Sequence, residues 1–131
     1  MSTLSSIIEL VAKPARLKSI LSFNKKGYLK DIGWFSAFDT LSPVDQNGNP
    51  IPWVTYSFID FIKERIKKEH TVFEFGSGNS TYFYAQYAGK VVSVEHDESW
   101  FKKIVATKPG NSEMIFCELK PDGDYCRIDR K

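Results

Sequence analysis

The run Val72-Phe-Glu-Phe-Gly-Ser-Gly-Asn-Ser-Thr81 decides how this chain is read. An apolar stretch with one acid, Glu74, runs directly into a turn with glycine at positions 76 and 78. Glycines so placed after a strand let backbone approach a ligand closely. Working outward, residues 71–75 read as a strand and 80–88 as a helix, with Gly89 as its stop. KVVSVE, residues 90–95, is rich in β-branched residues and reads as a second strand. Asp97 is placed to cap a helix whose buried face carries Trp100, Phe101, Ile104 and Val105. MIFCEL, residues 114–119, reads as a third strand, followed by a turn over 121–124. Strand, helix, strand, helix, strand at this spacing predicts an α/β unit with a parallel sheet and right-handed crossovers. Such sheets bind ligands at the carboxyl ends of their strands, here the turn from Gly76 to Ser80.

Upstream the pattern is helical. Residues 5–21 predict one or two short helices interrupted at Pro14, and 27–38 is an aromatic, glycine-punctuated stretch with no clear period. Residues 45–50, DQNGNP, form a turn cluster. From Thr55 to about Lys68, Phe58, Ile59, Ile62 and Ile66 share one helical face, and the Lys63–Lys68 run reads as the solvated side. These shifts divide the chain into a helical and irregular segment, 1–54, and a partial Rossmann-like segment, 55–131.

The bulk composition narrows function mainly by exclusion. A length of 131 residues suits a single core. The formal net charge of +2, carried by dispersed basic residues, is too small to argue for a nucleic-acid partner. Two cysteines and two lone histidines lack metal-site spacing, and the expectation is reduced thiols in a cytoplasmic protein. No apolar run is long enough for a spanning helix, and the amino terminus is a poor signal peptide.

The ligand class follows from the acids around the turn. A dinucleotide fingerprint would place a third glycine where Thr81 stands. The acid expected about 20 residues on is present: Glu95 lies nineteen positions beyond Gly76. Its two oxygens can accept from both cis hydroxyls of a ribose. Glu74, two residues before Gly76, would repel a pyrophosphate and favour an adenosine with a cationic end. S-adenosylmethionine, with its sulfonium and amino groups, has that character. An NAD-dependent oxidoreductase is the weaker alternative on both counts.

The stretch Glu74-Phe75-Gly76-Ser77-Gly78-Asn79-Ser80 resembles motif I of class I SAM-dependent methyltransferases, and Val91–Asp97 resembles their second motif. Gly33-Trp34-Phe35-Ser36 and Pro52-Trp53-Val54-Thr55-Tyr56 are similar to upstream elements of one branch of that superfamily, whose acceptors are ill defined. The resemblance spans about residues 27–127. It implies a Rossmann-like sheet in which Glu74, Gly76, Ser77, Gly78, Asn79 and Ser80 cradle the methionine part. By the same resemblance Glu95 holds the ribose, and His96 and Asp97 flank the adenine. Ser80 stands where the superfamily often has a third glycine and is expected to cap the following helix instead.

Each residue also has a plainer reading: Glu74 as an acid bonding its neighbours, Asp97 as a helix cap first, and His96 as a bystander at a strand end rather than a base. Trp34, Trp53 and Tyr56 wall a pocket or belong to the core. Only the first three strands of the seven-stranded class I sheet are legible. The expectation is therefore a methyltransferase of which strands four to seven would follow Lys131, or a non-catalytic SAM-binding module. In the second case an oligomer or partner chain would cover the open edge of the first strand.

Overall fold

The computed structural model describes residues 12–120 and Gly123. The chain divides into two compact units, Met1–Asn49 and Pro50–Lys131. The readings that fall on residues 1–11, on most of the 121–124 turn and on 127–131 lie outside the described residues.

In the first unit Pro14 opens a helix, α1 (Pro14–Ser22), at the first helical position, where a missing N–H costs nothing. The aromatic stretch that follows forms two short helices, α2 (Tyr28–Asp31) and α3 (Trp34–Thr40). Gly33 makes the bend between them at φ +82°, and an added Cβ would stand 2.3 Å from the backbone of Asp45 and Gln46. Only glycine fits there. In the 45–50 cluster Asp45 Oδ1 accepts from the amides of Asn47 and Asn49 at 2.8 and 2.9 Å, and Gly48 takes the positive φ.

The second unit is an α/β unit of Rossmann-like connectivity. Its order is α4 (Tyr56–Lys63), β1 (Thr71–Phe75), α5 (Asn79–Tyr87), β2 (Lys90–Glu95), α6 (Glu98–Val105) and β3 (Ser112–Phe116). The three strands are parallel in the order β1-β2-β3. Among the described residues β1 pairs only with β2, so it is an edge strand. Helix α4 ends at Lys63, short of the expected Lys68. Arg65 Nη1 donates to the Phe61 carbonyl at 2.9 Å and its guanidinium lies 3.7 Å over the Phe61 ring, closing the last turn. Strand β3 (Ser112–Phe116) starts two residues and ends three residues earlier than its apolar run suggested. The pairing runs from Val91–Ser112 to Glu95–Phe116, so β2's end at Glu95 fixes where β3 stops. The polar start of β3 is held by an ion pair, Glu113 to Lys90 at 2.6 Å.

Register places Val72, Glu74, Val91, Ser93 and Glu95 on one sheet face. Helix α5 covers that face with Thr81 and Ala85, one turn apart, and buried Ala88 follows at its end. Ala85, Ala88 and Val91 form one buried cluster, flanked by Val72, Ile66 and Tyr84. Phe83, 2% exposed, turns instead toward Ile59 of α4 and Ile51. Burial of a side chain that size contributes about 2–3 kcal/mol. On the opposite sheet face Phe73 and Phe75 form an edge-to-face pair at 5.3 Å and remain 49% and 52% exposed.

Gly89 was expected as the stop of α5. The helix stops at Tyr87 with Ala88 already extended, and Gly89 serves another need. A Cβ there would lie 2.0 Å from the Lys68 carbonyl. Lys68 itself is not simply solvated. Its Nζ donates to the carbonyls of Gln86 and Ala88, while Asn111 Nδ2 donates to those of Ala85 and Ala88. These bonds satisfy carbonyls that a helix end leaves without partners.

Candidate functional site at the first strand–helix turn

The glycine turn leaves β1 with Gly76 at φ +82° and enters α5 through Gly78 at φ +142°. Both angles favour glycine. A Cβ on Gly76 would meet nothing within 4 Å, so open space lies in front of the turn. At Gly78 the nearest atoms belong to the Trp100 indole, at 3.5 Å.

Glu74 points beneath the turn. Its Oε1 accepts from the hydroxyls of Thr81 and Ser93, each at 2.5 Å. Thr81 Oγ1 in turn accepts the Gly78 amide at 3.1 Å. Thr81 therefore ties Glu74 to the turn and supplies the hydroxyl cap expected of Ser80. Asn79 and Ser80 form the first, half-buried positions of α5. The Tyr84 phenol is held above its ordinary pKa, first by burial and then by the charge of Glu74.

Glu95, 4% exposed, spans from the end of β2 to the turn. Its Oε2 accepts from the Ser77 amide at 3.0 Å and the Ser77 hydroxyl at 2.8 Å. Its Oε1 accepts from the amides of His96 and Asp97 at 2.9 and 3.0 Å. Four donors thus meet a group with about four acceptor positions. The carboxylate that the sequence assigned to a ribose is, in this conformation, bonded to its own chain.

His96 is exposed, with Nδ1 3.4 Å from Glu95 Oε1. Asp97 caps α6: its Oδ1 accepts from the Trp100 amide at 2.8 Å and the Ser99 hydroxyl at 2.7 Å. These donors, the Trp100 amide foremost, hold its carboxyl below the ordinary range. Trp100 Nε1 donates to the Ser77 carbonyl at 2.8 Å, and Lys103 Nζ lies 4.6 Å over the indole ring. Tyr56 packs against the Ile51–Ile59–Phe83 cluster, whereas Trp53 is 89% exposed.

The turn thus gathers Glu74, Gly76, Ser77, Gly78 and Glu95 with three residues whose part was not read from the sequence: Thr81, Ser93 and Trp100. A serine within the valines of KVVSVE was the available signal, since a polar residue on a buried face needs a partner. No protein-family model, curated protein or solved structure matches this chain. Among the described residues no group of side chains is arranged to hold a metal ion, and no helix is long and apolar enough to cross a membrane.

Proposed function

We propose that the second unit binds S-adenosylmethionine at the Glu74–Ser80 turn and that the chain serves methyl transfer. The observation that carries this reading is Glu95, buried at the carboxyl end of β2 and reaching the glycine turn of the neighbouring strand. Such a carboxylate, beside open space at Gly76, suits the cis hydroxyls of a ribonucleoside. The charge of Glu74 beneath the turn favours a cationic ligand over a pyrophosphate. In the bound state Glu95 would accept the ribose hydroxyls and the backbone of Gly76 and Gly78 would line the methionine end. His96 and Asp97 would flank the adenine. The cofactor brings an activated methyl group, so the chain's task is alignment of a nucleophilic acceptor with it.

Calorimetric titration with S-adenosylhomocysteine tests the reading: saturable binding is expected, and Glu95→Ala should weaken it by about 1–3 kcal/mol. A folded protein that shows no saturation at millimolar ligand would refute it. Competition with NAD separates the oxidoreductase alternative, which predicts that NAD displaces S-adenosylhomocysteine. A second reading, a cofactor-binding module that acts through a partner, draws on the edge position of β1 among the described strands and the half-exposed Phe73–Phe75 pair.

A further inference from the structure

Ser77 is held from three directions. Its amide and its hydroxyl both donate to Glu95 Oε2, and its carbonyl accepts from Trp100 Nε1. It also stands between Gly76 and Gly78, the two residues of the turn with positive φ. Glu95 meanwhile has its acceptor positions filled, so a ligand diol can reach the carboxylate only by displacing a donor. The amides of His96 and Asp97 follow Glu95 directly in the chain and are fixed by the cap of α6. Ser77 is the donor free to leave, because its hydroxyl rotates about one bond and its flanking glycines tolerate large backbone changes.

We propose that Ser77 is an internal stand-in for the ligand: its hydroxyl and amide occupy the Glu95 oxygen that a ribose diol takes, and Trp100 bolts the stand-in in place. The site is then gated by exchange, with ligand hydroxyls replacing Ser77 on Glu95 Oε2. This inference rests on the reading of the turn as a ribonucleoside site and adds its regulation. A protein whose ligand-competent state is only a fraction of the population binds with an affinity lowered by that fraction. Weakening the stand-in should therefore tighten binding.

The experiment measures binding of S-adenosylhomocysteine, adenosine and 2′,3′-dideoxyadenosine to the whole chain and to Ser77→Ala, with folding checked by circular dichroism. The alanine variant should bind the two diol ligands about 3- to 10-fold more tightly and the dideoxy ligand with no gain, as expected for removal of a competing donor. A general loosening of the turn would change all three ligands alike and would overturn the proposal. So would diol affinity equal to or below that of the wild type, which would make the Ser77 hydroxyl a ligand contact or a bystander while leaving the site assignment intact. Absence of saturation by any of the three ligands would overturn the site assignment and the gate together. Trp100→Phe supplies a second measurement that does not depend on the alanine variant. It removes the bond to the Ser77 carbonyl and should speed association of the diol ligands; an unchanged association rate argues against the bolt.

Discussion

Thr81 shows how much a single buried hydroxyl can coordinate. It is fully buried, donates to Glu74 and accepts the Gly78 amide, so it joins the strand end, the turn and the helix start. Thr81→Val keeps the shape but leaves an amide and a carboxylate oxygen each without that partner. Unmet buried groups cost about 1–3 kcal/mol, and urea unfolding should show a loss of that size, largely restored in Thr81→Ser. From sequence alone Thr81 counted only as an absent glycine, because periodicity does not reveal which hydroxyl lies opposite which acid. Glu95 was legible as an acid at the right distance. Its two donors from Ser77 were not, since they depend on how the turn after β1 meets the end of β2.

At the scale of the helix, α5 and α6 are fixed by opposite devices. Helix α6 relies on its own cap, Asp97, whose carboxyl is depressed by the Trp100 amide and the Ser99 hydroxyl. A depressed acid adds stability above its unfolded pKa, about 3.9, and loses it as pH falls through the lower folded value. Asp97→Asn should flatten the stability profile in that acidic window, with the loss of stability present near neutrality and vanishing below the folded value, as read by denaturation at successive pH values. Helix α5 depends on distant groups, Lys68 and Asn111, for its last carbonyls. Asn111→Ala should cost about 1–2 kcal/mol in chemical denaturation without altering ligand affinity, because it acts at the end of α5 remote from the turn. The cap of α6 was legible because it is local in sequence. The Lys63–Lys68 run was misread in part because a lysine's partner eighteen residues away leaves no periodic trace.

For the whole molecule, the βαβαβ order of the second unit was legible from the change of period at Thr71 and the β-branched run at 90–95. The boundaries of β3 were not, because register rather than propensity set them. The edge of β1 has a measurable consequence. Among the described residues β1 has a strand neighbour on one side only, and its half-exposed phenylalanines invite association. The module reading predicts a concentration-dependent dimer in sedimentation velocity that Phe73→Lys with Phe75→Glu dissolves. A wild-type protein that stays monodisperse as a monomer removes the reason to invoke a partner at that edge.

The stapling of α5 also sets an order in time. At nine residues the helix is too short to persist alone in water. Its far carbonyls wait for Asn111, which a ribosome adds more than twenty residues after Tyr87. During synthesis, therefore, the glycine turn emerges well before the helix behind it can settle, and the two ends of α5 should gain protection at different moments of chain growth.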